Sequence, residues 1–208
     1  MSLKTNSKCA QCRRAGEKLM LKGEKCLGPK CPMSKRSYPP GMHGPNQKHA
    51  KISNYGKQLR EKQKVKRMYG ILEKQFSNYV IEASKKVGDT GKHLISSLES
   101  RLDNVVYRMG LGKSRISARQ IVSHGHIMVN GKKLDVPSAR VKVGDVVALR
   151  EGAKNKKEFQ GILEKLAKVE APVWLGLDAK VASAKVLNTP TAENPMFNAK
   201  VIIEFYSR

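Results

Sequence analysis

The sequence predicts an α+β protein: an N-terminal four-cysteine metal knuckle and a small all-helical domain, then two helices and a small antiparallel sheet. Three observations predict it. All four cysteines fall within residues 9–31, helical periodicity runs through residues 53–87 and again through 94–123, and Asn130-Gly131 beside alternating apolar residues marks a hairpin. Charge then narrows the function. The 208 residues hold 41 Lys and Arg against 17 Asp and Glu, a formal charge of +24. An excess of this size opposes compaction unless a polyanion neutralises it, and it lies mostly toward the amino end: +9 over residues 1–50 and only +2 over 151–208. Aromatic residues, at 5%, are too few for a run of base-stacking platforms, so nucleic acid is expected to be recognised by charge and shape. No apolar run approaches the ~18 residues of a membrane span. Met1 to Lys8 lacks the apolar stretch of a signal peptide, so the chain is expected to be soluble and cytoplasmic, with no membrane partner.

The cysteines follow the pattern Cys9-x2-Cys12-x13-Cys26-x4-Cys31. Two close pairs separated by a loop let four thiolates converge tetrahedrally, which suits a structural metal in a segment too poor in apolar residues to fold alone. Zinc fits four soft thiolates, and so does an iron–sulfur cluster. A disulfide framework is disfavoured for a basic chain without a secretory signal. Lys8, Arg13, Arg14, Lys18, Lys22, Lys25 and Lys30 surround the cysteines, so the knuckle reads as a clip ordering a basic surface. The stretch Arg36 to Pro45, rich in proline and glycine, reads as an extended connector. With Lys35, Arg36, Lys48 and Lys51 on its flanks, it is either a linker or a segment laid along a nucleic-acid backbone.

From Ser53 to Tyr69, Tyr55, Leu59, Val65 and Tyr69 share one arc of a helix, and Lys57, Arg60, Lys64 and Arg67 share the other as a one-signed stripe suited to phosphate. Lys62 and Lys66 fall inside the apolar arc and break the pattern. Ile71, Leu72, Phe76, Tyr79, Val80, Ala83 and Val87 form the core stripe of a second helix. Leu94, Leu98, Leu102, Val105, Val106 and Met109 then predict a single amphipathic helix closed by Gly110, with Arg101 and Arg108 on its other side. Ser114 caps a helix over Arg115 to Ser123 whose first turns carry Arg115 and Arg119 beside free backbone N–H groups, an arrangement that favours phosphate. His126 to Val129, Asn130-Gly131 and Lys132 to Leu134 make a hairpin, and Val141 to Leu149, broken by the Gly144-Asp145 turn, adds strand. A helix around Phe159 to Ala167, anchored by Trp174-Leu175, a strand over Lys180 to Leu187 and a last strand over Val201 to Tyr206 complete the chain.

The order of elements with these residues carries more than the elements do. SRLDNVVYRMGLGKSRISARQIVSHGHIMV, from Ser100, followed by NGKKLDVPS, resembles the RNA-binding module named after the fourth protein of the small ribosomal subunit. LKGEKCLGPKC, RSYPPGMHG, YGKQLREKQKVKRMYGILEKQF and VIIEFYSR resemble the same bacterial-type ribosomal family over nearly the whole chain. The resemblance implies a helix-helix-antiparallel-sheet RNA-binding module and a structural role in the small subunit. Direct binding of folded small-subunit rRNA, nucleation of subunit assembly and an effect on translational accuracy follow from it. Carried onto this sequence, it assigns RNA contact to Arg101, Arg108, Lys113, Ser114, Arg115, Arg119, Gln120, His124, His126 and Lys132, and matches Cys9, Cys12, Cys26 and Cys31 to the metal-binding form of the family. It further implies neighbouring small-subunit proteins as partners, and mRNA contact by Lys35 and Arg36 where message enters the ribosome. The expected organisation is a knuckle and connector over 1–45, a basic helical domain over 46–90, the module with an inserted helix over 91–189, and a tail with a strand over 190–208 that returns to the amino-terminal helices.

Two other readings compete. The same module is appended to RNA-modifying enzymes, but no acid pair is spaced for acid–base work and GLGK at Gly110 to Lys113 is too short for a phosphate loop, so no catalysis is expected. An RNA-binding regulator, or a zinc-dependent DNA-binding one, would share the charge and the cysteines. A DNA reader would need side chains on major-groove base edges.

Overall fold

The computed structural model describes residues 7–46, 52–154, 156, 159–191 and 196–207, and the chain divides into two compact units, residues 1–78 with 196–208 and residues 79–195. Lys48 and Lys51 lie outside the described residues. The α+β class holds, with helices at the amino end and one five-stranded antiparallel sheet. Among the described residues no helix is long and apolar enough to cross a membrane.

In the first unit, α1 (Lys8–Ala15), a 3-10 turn (Gly23–Cys26) and α2 (Pro32–Lys35) carry the cysteines. Helix α3 (Asn54–Tyr69) starts where the Ser53 hydroxyl accepts the Gly56 N–H at 3.2 Å, and it ends at Gly70. The division between units falls inside α4 (Glu73–Ser84). Of the stripe expected there, Ile71, Phe76, Tyr79, Val80 and Ala83 are buried, but Leu72 and Val87 are exposed. The tail does return to the amino-terminal helices, though as a helix rather than the expected strand. Asn198 accepts the Lys200 N–H at 3.0 Å and starts α10 (Ala199–Tyr206), which packs along α3. Val201, Ile202 and Ile203 favour a strand locally, but the helix buries Ile202 and sets Phe205 against Tyr55 and Tyr206 against Phe76, with ring centroids 5.6 and 6.1 Å apart.

This packing resolves the two lysines that broke the α3 pattern. Lys62 Nζ lies 4.3 Å from the Phe205 ring centroid and 2.8 Å from Glu73, and Lys66 reaches the other oxygen of Glu73 at 2.5 Å. The Tyr206 hydroxyl donates to the same carboxylate at 2.6 Å. Partial burial would raise the Glu73 pKa, but the bonds from Lys62, Lys66 and Tyr206 outweigh it and push it down to about 2. A depressed carboxylate pKa stabilises the fold above the unfolded value of 4.5, and that contribution is lost as pH falls toward about 2. Acid should therefore loosen α10 across this window, seen as exposure of the Tyr206 environment by fluorescence or NMR. Glu73→Gln should abolish the pH dependence there.

In the second unit, α5 (Thr90–Glu99), α6 (Leu102–Arg108) and α7 (Arg115–Ser123) precede the sheet. Its strands β1 (Ile127–Val129), β2 (Lys132–Lys133), β3 (Val146–Leu149), β4 (Leu175–Asp178) and β5 (Ser183–Val186) are ordered β2-β1-β3-β5-β4. Of the strand material expected over residues 141–149, the part after the Gly144-Asp145 turn forms β3, while β4 adds a strand where only packing was expected. Asn130 and Gly131, at φ 50° and 78°, make the predicted tight turn between β1 and β2. Two short helices, α8 (Glu151–Lys154) and α9 (Ile162–Leu166), lie between β3 and β4. Val105, Val106 and Met109 of α6, Ala118 and Val122 of α7, and Ile127, Val147, Leu149 and Val186 of the sheet form one buried core.

The single helix expected from Leu94 to Met109 is two. At Ser100–Arg101 the chain turns extended because the segment around Arg140 pairs with it: Leu102 N–H donates to the Ala139 carbonyl at 2.8 Å and Val141 N–H to that of Ser100 at 2.9 Å.

Candidate nucleic-acid interface

The break between α5 and α6 brings Glu99 and Asp103 under the start of α7. Both acids are buried, Glu99 completely. Arg108 grips Glu99 with two bonds, Nε at 2.9 Å and Nη2 at 3.0 Å, from a partly exposed side chain. Asn104 bridges the next arginine. Its amide donates to Glu99 at 2.8 Å, its oxygen accepts from Arg115 Nε at 2.8 Å, and the Arg115 guanidinium lies 4.7 Å from the Tyr107 ring centroid. Arg119, with a side chain 40% exposed, reaches Asp103 at 3.4 Å. Helix α7 is held in place beneath them by Gly112, where an added Cβ would stand 2.7 Å from the Ala118 backbone nitrogen. The Ser114 hydroxyl caps it as predicted, accepting the Ser117 N–H at 3.2 Å. Three guanidinium groups thus rise from two buried carboxylates at the positive end of a capped helix with no acid in its first turn. The arrangement is chemically an anion receptor: fixed donors with a net positive charge.

The expected RNA-facing residues separate into two groups. Lys113, Gln120, His124 and Lys132 are exposed or partly so, and so are Arg108, Arg115 and Arg119. Arg101, Ser114 and His126 depart from the expected exposed face, being buried. Arg101 is 0% exposed, donating to Asp103 at 3.2 and 2.9 Å and to the Tyr79 hydroxyl at 2.8 Å. Burial alone would lower its pKa, but Asp103 and Tyr79 more than offset this and raise it, so it stays charged. His126 packs edge-on against Phe159 with centroids 5.6 Å apart. The residues that sequence reasoning missed are the acids beneath, Glu99 and Asp103. Their signal was available: acids four apart, interleaved with Arg101 and Arg108 in an otherwise basic segment.

In the first unit Lys57 and Arg60 of the α3 stripe are exposed, and Arg67 is half-buried. Lys64 departs from the expected stripe, since it is buried and meets Glu17 at 2.6 Å and Glu61 at 3.7 Å. Burial, with Arg14 nearby, lowers the Arg67 pKa. Arg13 of α1 holds the connector, donating to the carbonyls of Tyr38 at 2.9 Å and Pro39 at 3.2 Å, its guanidinium 4.6 Å from the Tyr38 ring centroid. Arg13, Lys30, Lys35 and Arg36 line one cavity of about 570 Å3 with no acidic residue in its wall. Cys9, Cys12, Cys26 and Cys31 are free thiols lining one small cavity of about 10 Å3, and the Lys22 N–H donates to Cys26 Sγ at 3.3 Å. Burial raises the Cys12 pKa, the Leu19 backbone bond opposes it, and Cys26, Cys9 and Cys31 add to the rise. The donor chemistry fits a thiophilic ion. Among the described residues, however, no group of three or more Cys, His, Asp or Glu stands close enough to hold one, so the structure carries the knuckle as a cysteine-lined fold and not as an assembled metal centre.

Comparison with known proteins gives two adjoining family matches and a set of full-length relatives. Residues 4–99 match the family described as ribosomal protein S4/S9 N-terminal domain, and residues 100–147 match the S4 domain. The chain is 52% identical over 211 residues to small ribosomal subunit protein uS4 of Acetivibrio thermocellus, covering 100% of both chains. It is 49% identical over 206 residues to the uS4 protein of Syntrophomonas wolfei, covering 98% of each, and 49% identical over 210 residues to that of Clostridioides difficile, covering 100% of each.

Proposed function

The chain belongs to the uS4 family of small ribosomal subunit proteins, and from that premise we propose that it holds folded small-subunit rRNA through two basic surfaces, nucleating assembly of the subunit body. As a uS4 protein it is a structural, non-enzymatic component of the ribosome, and its S4 domain binds small-subunit rRNA. The observation that carries the reading is the trio Arg108, Arg115 and Arg119, fixed on buried acids at the capped start of α7. Such a receptor neutralises phosphates, so binding releases counterions and weakens steeply with salt. The test is titration of purified protein against folded small-subunit rRNA across salt concentrations, with duplex DNA as competitor. A steep linear fall of log affinity with log salt, and rRNA retained against DNA at equal salt, is expected. Displacement by DNA would favour a DNA-binding regulator. Co-sedimentation with small subunits checks the site of action.

The finer parts of the reading stand on separate surfaces. The cavity of Arg13, Lys30, Lys35 and Arg36 supports contact with mRNA where message enters the ribosome, and through it an effect on translational accuracy. Exposed apolar side chains such as Val173 and Leu187 are the kind that neighbouring small-subunit proteins cover. For the knuckle we propose zinc, held by Cys9, Cys12, Cys26 and Cys31. The common cavity and the Lys22 N–H bonded to Cys26 support it, as backbone donors stabilise thiolates. Bound zinc would tie the turns of residues 9–31 together. Elemental analysis is expected to find one zinc per chain, and iron with visible absorbance would indicate a cluster instead. Replacing Cys9 and Cys12 with serine should release the metal and disorder residues 7–46, while amide signals of residues 91–150 stay in place by NMR.

A further inference from the structure

Every guanidinium on the exposed face of α6 and α7 ends on an acid that is itself hidden. Glu99, 0% exposed, is bonded by Arg108 at 2.9 and 3.0 Å and by Asn104 at 2.8 Å, and lies 3.9 Å from Arg115. Asp103 is bonded by the buried Arg101 on one side and reached by Arg119 at 3.4 Å on the other. Bulk electrostatics would make two carboxylates a liability in a protein of charge +24 that binds a polyanion. Their position argues the reverse. A solvent-exposed arginine samples many rotamers and must be ordered when it meets phosphate, which costs affinity. Arg108, bonded to Glu99 through two nitrogens, has lost much of that freedom before the encounter, and Arg115 and Arg119 are each tied through one.

We propose that Glu99 and Asp103 are positioning residues for rRNA binding, which hold Arg108, Arg115 and Arg119 in the poses that receive phosphates. This rests on the rRNA-binding reading above, and it inverts the expected effect of charge. Glu99→Gln adds one positive charge yet should weaken binding to folded small-subunit rRNA, by about two- to tenfold for each arginine it releases. It should also make the salt dependence shallower, because fewer phosphates are engaged. In a background where Arg108 and Arg115 are already alanine, the same substitution should cost nothing further, since its effect runs through them.

Three results decide it. Tighter binding with a steeper salt dependence in Glu99→Gln, or an equal loss in the arginine-free background, would overturn positioning and leave the rRNA reading intact. Failure of the unaltered protein to bind rRNA would overturn both. Should Glu99→Gln not fold, NMR of the Arg108 and Arg115 Nε–H groups in the unaltered protein serves instead. Protected signals with hindered guanidinium rotation before RNA is added are expected. Signals as mobile as those of Arg36, ordering only when RNA arrives, would refute it.

Discussion

Arg101→Ala should unfold the second unit at physiological temperature, not merely weaken its binding to RNA. Among the described residues Arg101 is the largest fully buried side chain, and it donates twice to Asp103 and once to the Tyr79 hydroxyl. Alanine leaves Asp103 buried with only the longer contact to Arg119, and removing one partner of a buried pair costs about 3–5 kcal/mol. Typical domains hold only ~5–15 kcal/mol in all. The cost should fall further on the α5–α6 break, because the extended residue at 101 is where the chain pairs with Arg140, whose guanidinium in turn grips Glu82 and stacks 5.1 Å from the Tyr79 ring centroid. Denaturant unfolding monitored at the second unit is the measurement. Loss of rRNA affinity with an unchanged midpoint would mean that Arg101 acts at the surface after all. Replacing Arg101 and Asp103 together by apolar residues should recover part of the loss, since no lone charge then remains buried.

Arg101 also marks where sequence reading runs out. Features set by neighbours in the chain were legible: the Ser114 cap, the Asn130-Gly131 turn, and the stripe that buries Val105, Val106 and Met109. Each rests on a local hydrogen bond, a local dihedral or a helical period. Arg101 sits on the polar side of a continuous helical period, and what buries it is the distant segment around Arg140, which pairs only after the chain has turned. Lys64 was misplaced for the same reason, its partner Glu17 lying in the cysteine segment. The carboxyl-terminal helix shows local preference being overruled. Its β-branched residues read as strand, yet Ile202, Phe205 and Tyr206 also recur at helical spacing behind Asn198, and the aromatic surface of α3 and α4 selects that alternative. The cysteine segment is legible in its donor set, for the four sulfurs line one small cavity; the expected metal centre is not, since among the described residues no group of three or more Cys, His, Asp or Glu stands close enough to hold an ion.

The second large effect concerns binding without loss of fold. Replacing Arg115 and Arg119 together with alanine should weaken association with folded small-subunit rRNA about a hundredfold near physiological salt. The size follows from two charge-assisted contacts of about 1.5–3 kcal/mol each, discounted because neighbouring cations and water take over part of the work. Neither removal strips a buried acid of its partners: Asp103 keeps Arg101, Glu99 keeps Arg108 and Asn104, and Arg119 is 40% exposed. The thermal midpoint should accordingly move by only a few degrees. The more discriminating readout is the slope of log affinity against log salt, which should fall by about one for each phosphate contact removed and so by about two in the double variant. Lys57 and Arg60, exposed on α3, furnish the comparison. Their removal should lower the slope independently, because they belong to the other unit. An unchanged slope in the Arg115/Arg119 variant would take α7 out of the RNA interface. It would leave the charge of the first unit to carry the binding, and no reason for two buried acids to hold arginines at that face.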